Sequence, residues 1–323
     1  MTAAKVVLLL VSLFVFDANA KDVKTSLNAD DSGEIWFQSA GSLVQPSTRG
    51  GLYALSKDAV AVSGDLKFPG GNGPFPTVVL AHGCAGNGYA ERTWVPLLTQ
   101  WGYATFVVDS YGPRRIPSTC DNTWRLIPLE RVPDVYGALR LLSTHPKIDR
   151  NAIALMGFSA GGLLTVDAAT MWAKDTYVTG DGPKFRAFFP FYPYCNHYFP
   201  ELDKISAPLR IHSGEADDWT PAKPCQEWTD RLKAAGFDAS TTIYTGAAHA
   251  FDDPFGSVVK KSDASNAARC TPKYPSILGP YDLTKNFPSS CMSKGATVGR
   301  SQKAIEEARD VLKAQLIELM PPK

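Results

Sequence analysis

A serine stands between two glycines at residues 157–161, which read Gly-Phe-Ser-Ala-Gly. An apolar run precedes this stretch and a helix-compatible segment follows it, so the pattern predicts a tight strand-to-helix turn that projects the hydroxyl. Such a hydroxyl becomes a nucleophile only when a base takes its proton and an acid orients the base. Ser159 is therefore the candidate nucleophile. The alternative is a glycine-rich turn that only begins a helix.

The candidate base is a histidine. When a nucleophile lies on such a turn, the expected chain order is serine, acid, histidine, and only His197, His212 and His249 follow Ser159. His212 precedes the best acid, and His197 lies in an aromatic segment. His249, in a loop of small residues after a predicted strand, is the candidate base. His82 competes with it, but its early position favours a structural role in its own loop.

The candidate acid lies in the segment 214–218, which reads Gly-Glu-Ala-Asp-Asp and ends a predicted strand upstream of His249. Side chains of neighbouring residues in extended backbone point in opposite directions, so only one of the two aspartates can face the imidazole. We predict Asp217, with Asp218 in reserve. Taken alone, such a pair is usually solvated or caps a helix.

An acyl-transfer site also needs two N–H donors that stabilise negative charge on the substrate oxygen. We predict that one is the backbone amide of Ala160, directly after the serine. The second should come from residues 82–87, His-Gly-Cys-Ala-Gly-Asn, with the amide of Cys84 as first choice and that of Gly83 as second. Three aromatic residues near the expected mouth are candidates for the substrate pocket: Tyr111, Trp219 and Phe251.

Alternating segments have to position these groups. Strands are predicted at 77–81, 103–108, 152–156, 187–191, 209–212 and 241–244, and antiparallel edge strands within residues 30–70. Helices are predicted at 90–100, 130–144, 160–173, 222–235 and 299–318. This alternation predicts an α/β fold with a mostly parallel central sheet flanked by helices on both faces. Functional groups gather at the carboxyl ends of strands in such sheets.

The composition predicts one globular domain over residues 21–323 of the 323-residue chain. The 33 basic and 32 acidic residues create no strong field that would attract nucleic acid. At the N-terminus, Lys5, an apolar run over 6–16 and the small residues before Lys21 predict a signal peptide at 1–20. A retained short anchor is the alternative. We therefore expect an exported protein, periplasmic or extracellular, without stable membrane insertion after cleavage.

The six cysteines have no C-x-x-C spacing, so disulfides are expected rather than a zinc site. We predict a bond between Cys270 and Cys291, which share the loop-like stretch 254–294. This stretch is predicted to be an insertion over or beside the site. Cys84 is expected to stay a small buried thiol. The sequence predicts no metal or other cofactor, and it does not indicate an oligomeric state.

Together these segments resemble the dienelactone hydrolase family of α/β-hydrolases. The resemblance is carried by HGCAGN at 82–87, GYATFVVDSYGPR at 102–114, GFSAGG at 157–162, GEADDWTP at 214–221 and HAFDD at 249–253. It covers residues 57–253 and the closing helix at 299–318. It implies the α/β-hydrolase fold and a carboxylic ester hydrolase acting on a small-molecule ester or lactone. The enzyme that names the family has a cysteine nucleophile, whereas this chain has Ser159.

Two other functions are compatible with the same segments. A peptidase of the prolyl-oligopeptidase type shares the fold and the order of the three groups. It normally carries a large N-terminal domain, and the segment ahead of the predicted core is short, so we expect an esterase instead. The other alternative is a secreted binding protein that keeps the fold without the chemistry.

Overall fold

The computed structural model describes residues 21–47 and 51–322. Thirteen strands lie in this part of the chain: β1 Val23–Lys24, β2 Gly33–Gln38, β3 Ser42–Val44, β4 Ala54–Ser56, β5 Ala61–Lys67, β6 Phe75–Ala81, β7 Ala104–Asp109, β8 Ile148–Phe158, β9 Ala187–Phe191, β10 Leu209–Gly214, β11 Ala239–Tyr244, β12 Val259–Asn266 and β13 Ser293–Val298. The same part forms seven α-helices: α1 Tyr89–Gln100, α2 Val132–Leu142, α3 Ala160–Ala169, α4 Met171–Tyr177, α5 Ala222–Ala234, α6 Leu283–Asn286 and α7 Gln302–Leu319. The predicted signal peptide lies outside the described residues.

Nine of these strands form one sheet in the order β1-β2-β5-β7-β6-β8-β9-β10-β11. Neighbouring strands from β7 to β11 are parallel, whereas β5 is antiparallel to both β2 and β7. The predicted α/β architecture is confirmed, including antiparallel strands within residues 30–70. The carboxyl ends of β6, β8, β10 and β11 lie at one edge of the sheet, where the candidate residues follow them.

The hydrophobic core is divided by the sheet into two clusters. Met156 of β8 packs with residues of α1 and α7, including Leu98 and Leu312, on one face. Its neighbour Leu155 packs on the opposite face with residues of α2, α3 and α5. Because successive strand residues point to opposite faces, a continuous apolar run such as that of β8 serves both clusters. The predicted position of helices on both faces is therefore confirmed.

The helix predicted at 160–173 is two helices, α3 and α4, separated at Thr170. Thr170 has extended backbone angles, pairs with Ile205, and accepts a hydrogen bond from the amide of Ala173 at 3.2 Å through its side chain. This hydroxyl supplies the cap that begins α4. The prediction of one continuous helix is wrong because apolar periodicity alone did not reveal the cap.

The stretch 254–294 is more ordered than the predicted loop. It contains β12 and α6, and β12 pairs antiparallel with β13. A disulfide joins Cys270 to Cys291, which confirms the predicted pair. In the described part of the chain, no helix is both long and apolar enough to cross a membrane.

Two further disulfides join Cys84 to Cys120 and Cys195 to Cys225. The expectation that Cys84 stays a free thiol is wrong. Cys84 follows β6 and Cys120 follows β7, and these strands are neighbours in the sheet. Their loops therefore meet at the same edge, with 4.8 Å between the two Cα atoms.

Candidate active site

Ser159 lies at the sharp turn between β8 and α3. Its backbone angles are φ 53° and ψ −112°, a sparsely populated region for a residue with a side chain. The surrounding glycines permit the turn, because a Cβ atom on Gly161 would collide with the carbonyl oxygen of Ala81 and one on Gly157 with that of Gly161. The strand and the helix can approach this closely only without those side chains.

A continuous line of hydrogen bonds joins three of the predicted residues. Ser159 Oγ is 2.9 Å from Nε2 of His249, and Nδ1 of His249 is 2.8 Å from Oδ2 of Asp217. An ionised carboxylate only accepts hydrogen bonds, so Nδ1 carries the ring proton and Nε2 is free to accept one from the serine. His249 and Asp217 are buried, with 3% and 4% exposure, which keeps water from competing for these bonds. This is the relative arrangement of a nucleophile, a base and an orienting acid.

The two adjacent aspartates point in different directions. Oδ1 of Asp217 accepts hydrogen bonds from the amides of Trp219 at 2.9 Å and Thr220 at 2.7 Å, which hold the carboxylate towards His249. Asp218 instead accepts from the amide of Thr297 at 2.6 Å and from its hydroxyl at 2.8 Å. Of the two candidates, the structure brings only Asp217 to the imidazole. Asp218 connects the loop after β10 to β13.

Thr220 belongs to the same network, although the sequence did not single it out. Its Oγ1 lies 2.8 Å from Oδ2 of Asp217 and 2.9 Å from Nδ1 of His249. The hydroxyl also lies within hydrogen-bond distance of the carbonyl oxygen of Tyr192, at 3.0 Å. In the sequence, Thr220 precedes a proline at the start of α5, so the only local signal is that of a helix start.

Both ring nitrogens of His82, the competing base, are hydrogen-bonded to backbone groups. Its ring is fully buried; Nδ1 donates to the carbonyl oxygen of Gly83 at 2.8 Å, and Nε2 accepts from the amide of Ser110 at 3.3 Å. Burial, together with the nearby positive charge of Arg131, lowers the pKa of His82 well below its usual range. Arg131 also donates to the carbonyl oxygen of His82 at 2.9 Å. These contacts agree with the predicted structural role in the loop.

His212 is unavailable for a different reason. Its ring is buried between Phe191 and Tyr244, and its Nδ1 lies 2.6 Å from the hydroxyl of Tyr244. Burial lowers the pKa of His212 to about 3. This histidine is therefore a neutral part of the core.

The two residues predicted to supply oxyanion donors line the same cavity as the serine. Ala160 is the first residue of α3, so its amide has no acceptor within the helix. The carbonyl of Cys84 accepts hydrogen bonds from the amide of Thr119 at 2.8 Å and the hydroxyl of Ser118 at 3.2 Å, which fixes the loop. Gly83 also packs against the turn, since a Cβ atom on it would lie 3.7 Å from that of Ser159. Ala160 and Cys84 both line the cavity that opens at the serine.

This cavity has a volume of about 300 Å³, within the range of small-molecule sites. Trp219 lines it as predicted, but Tyr111 and Phe251 are not among the described residues that do. Tyr111 packs edge-on against His82, and Phe251 is buried against Tyr244. The predicted pocket roles of these two rings are wrong because both side chains turn into the protein. The stretch 254–294 supplies one wall, through residues such as Tyr274, Tyr281, Phe287 and Met292.

Similar proteins are known. Over 219 residues the chain is 25% identical to a "Probable 2-oxo-3-(5-oxofuran-2-ylidene)propanoate lactonase" from Bradyrhizobium, covering 62% of this chain and 84% of that protein. Esterase 2 of Thermogutta terrifontis, phosphorylated by paraoxon, is 16% identical with a TM-score of 0.54, covering 82% of this chain and 92% of that one. A dienelactone hydrolase-like promiscuous phosphotriesterase from metagenomic libraries is 15% identical with a TM-score of 0.53, covering 89% and 99%.

The two solved structures show the fold alone, since their identity to this chain is low. The family is shown by the sequence itself, because residues 64–273, more than half of the chain, match the dienelactone hydrolase family. That match includes the turn at Ser159, both aspartates after β10 and His249. The chain belongs to the dienelactone hydrolase family, a family of esterases and lactonases with the α/β-hydrolase fold.

Proposed function

We propose that this protein is an exported serine hydrolase that cleaves carboxylic esters or lactones through an acyl-enzyme on Ser159. The observation that carries the proposal is the continuous line of hydrogen bonds from Ser159 through His249 to Asp217 at the cavity. The lactonase name of the Bradyrhizobium relative supports the same class of substrate. An intact line of three such groups argues against a protein that only binds.

In the first half of the reaction, Ser159 Oγ attacks the ester carbonyl carbon while Nε2 of His249 takes its proton. The carbonyl oxygen becomes negative and is stabilised by the amides of Ala160 and Cys84. When the tetrahedral intermediate collapses, the bond to the leaving oxygen breaks and His249 returns its proton to that oxygen. Asp217 keeps Nδ1 protonated and stabilises the positive ring.

In the second half, a water molecule attacks the acyl-enzyme, again with His249 as base. The bond between Oγ and the acyl carbon breaks, the proton returns to Ser159, and the carboxylic acid leaves. A lactone follows the same steps, except that its alcohol remains part of the product. The proton transfers use Ser159, His249 and Asp217, which lie within hydrogen-bond distance of one another in sequence from Oγ to Oδ2.

Export is part of the proposal. All six cysteines are paired, as expected in an oxidising compartment and not in the cytosol. The predicted signal peptide points the same way. Peptide mapping without reducing agent, applied to protein from the periplasm or the medium, should recover the three pairs. Six free thiols would contradict export and pairing together.

Replacement of Ser159 by alanine tests the chemistry directly. We expect Ser159→Ala to lower kcat by at least about a thousandfold, as loss of a nucleophile does in related chemistry, and to abolish labelling by a fluorophosphonate probe. Ser213→Ala is a matched control, because Ser213 is a buried serine in β10 outside the cavity lining. Retention of more than about a hundredth of kcat in Ser159→Ala would overturn Ser159 as nucleophile.

A further inference from the structure

Two polar side chains in the cavity lack hydrogen-bond partners among the described residues. Asp167 is 5% exposed and its Oδ1 accepts no hydrogen bond, while the side chain of His197 is 8% exposed and neither ring nitrogen is bonded. Their nearest atoms, Nε2 of His197 and Oδ1 of Asp167, are 3.8 Å apart, beyond hydrogen-bond distance. Both residues line the cavity that opens at Ser159.

Buried polar groups without partners cost stability, so a protein rarely keeps them without a reason. Burial raises the pKa of Asp167 because it disfavours the charged carboxylate, and His197 opposes this shift. The rest of the described fold supplies no partner for Oδ1. The missing partner therefore has to come from the cavity itself.

The pair lies far from the reacting atoms. Ser159, Leu163 and Asp167 follow one another at intervals of four residues and line the cavity along one face of α3. Eight residues of helix rise by about 12 Å. A group held by Asp167 and His197 is therefore a remote part of the substrate and not the ester bond. Contacts at that distance select the substrate without taking part in the chemistry.

The unpaired atoms define the chemistry of the remote group. Oδ1 of Asp167 is an acceptor, and the ring nitrogens of His197 include at least one N–H donor. A hydroxyl can donate to Asp167 and accept from the ring N–H, whereas an ammonium group cannot accept from the ring and a carboxylate cannot donate to Asp167. The pair therefore fits a neutral hydroxyl.

The walls beside the pair are aromatic. Tyr194 stacks nearly parallel to His197, with 7° between the rings, and Phe199 lies 5.3 Å from His197 between centroids. Tyr274 and Tyr281 line the same cavity and pack on each other at 4.5 Å. They come after residue 273, where the match to the family ends, and lie in the stretch 254–294. Such walls suit a flat ring.

We propose that Asp167 and His197 form a subsite that binds a hydroxyl group on an aromatic ring, carried by the ester at its far end. The proposal rests on the proposed function of Ser159 and names the substrate class of that site. The ring can belong to the acyl group or to the alcohol of the ester. In both cases the hydroxyl occupies the same pair of side chains.

Two substrate pairs test the subsite, each differing only in the ring hydroxyl. Methyl p-hydroxycinnamate and methyl cinnamate carry the ring on the acyl side, and p-hydroxyphenethyl acetate and phenethyl acetate carry it on the alcohol side. We expect the hydroxylated member of one pair to have a kcat/KM at least about tenfold higher, since an enzyme site that bonds a hydroxyl discriminates against its absence. Ethyl acetate, which carries no ring, serves as the reference substrate.

Asp167→Leu and His197→Phe should each reduce this preference to less than about threefold, mainly through KM, because uniform binding energy is lost. The readout is the ratio of kcat/KM within each substrate pair, because a general loss of activity lowers both members of a pair equally and leaves that ratio unchanged. His145→Phe is the matched control, since His145 lies outside the cavity lining and bonds to the carbonyl of Asp31, and its preference should equal that of the wild type. Asp167→Leu should fold, because the substitution removes an unpaired buried carboxylate. If Asp167→Leu does not fold, His197→Phe provides the test.

The outcomes separate this proposal from the previous one. If the wild type hydrolyses ethyl acetate through Ser159 but neither pair shows a preference, or if both variants keep it, the subsite is refuted and the serine hydrolase remains. If Ser159→Ala retains full activity, the proposed function fails. The subsite is then decided by the affinity of that variant for p-hydroxyphenethyl alcohol against phenethyl alcohol, which carry no ester bond, measured by calorimetry, where equal affinity refutes it.

Discussion

The disulfide between Cys84 and Cys120 holds the loop that carries the second proposed oxyanion donor. Replacing both cysteines by serine removes the covalent link but leaves the hydrogen bond from the amide of Thr119 to the carbonyl of Cys84. We expect this double variant to lose stability and kcat for separate reasons. The disulfide between Cys195 and Cys225, which joins the loop after β9 to helix α5, offers a matched control.

The two disulfides should contribute nearly equally to stability. Their cysteines are separated by 36 and 30 residues. Loop-closure entropy in the unfolded chain then gives about 3.8 and about 3.6 kcal/mol of stabilisation. Urea titrations of the two double variants should therefore show similar losses in the free energy of unfolding. Any difference in turnover between them then has a local cause.

The kinetic effects should differ. Loss of one oxyanion donor costs about a hundredfold to a thousandfold in kcat in comparable sites. The hydrogen bond from Thr119 still holds position 84 in the variant of Cys84 and Cys120. We therefore expect kcat to fall by at least about tenfold but by less than the loss of a donor would cause. The control variant should lose less than about threefold with ethyl acetate, assayed at a temperature where circular dichroism shows both variants folded. Equal kcat values in the two variants would refute the idea that this disulfide positions the donor.

Further predictions concern the histidines and the turn. His249→Ala should abolish ester hydrolysis and its rise with pH, whereas His82→Ala should lower activity and keep that rise; the reverse pattern in pH profiles of kcat/KM would make His82 the base. Burial lowers the pKa of His212 from 6.5 to about 3, so between these pH values the ring is protonated in the unfolded chain but not in the folded protein. The free energy of unfolding should therefore fall as the pH drops from 6.5 towards 3. In urea titrations at a series of pH values, the free energy of unfolding of His212→Phe should fall less steeply with decreasing pH than that of the wild type. An identical slope would contradict this explanation. Gly161→Ala should strongly lower Tm, since the new methyl group meets the carbonyl of Ala81, and an unchanged Tm would disprove the close approach.

Much of the candidate site could be predicted because its signals are local. The glycines two residues before and two residues after Ser159 predict the turn, and the apolar run of β8 predicts the strand before it. The order of serine, acid and histidine then left His249, which the structure brings to Ser159. The pair Cys270 and Cys291 was also predictable, because both residues lie in one short stretch.

Other features depend on contacts between distant segments, which no local pattern records. The sequence left Asp218 in reserve to Asp217, and the hydrogen bonds to His249 and Thr297 distinguish the two. Cys84 pairs with Cys120 because neighbouring strands bring their loops together. Tyr111 and Phe251 turn inward, since the direction of a loop side chain is set by what packs around it.

Helix α3 shows most clearly the difference between what local sequence determines and what tertiary structure decides. The sequence alone determined that a helix follows Ser159, because its glycine-flanked turn and apolar spacing act within a few residues. That Asp167 and His197 meet in the same cavity as the serine was decided by tertiary structure, since they lie on separate elements. Aromatic residues from distant segments, such as Tyr274 and Tyr281, line the cavity beside them. Burial and the absence of a hydrogen-bond partner are properties of packing, and packing exists only in the folded chain.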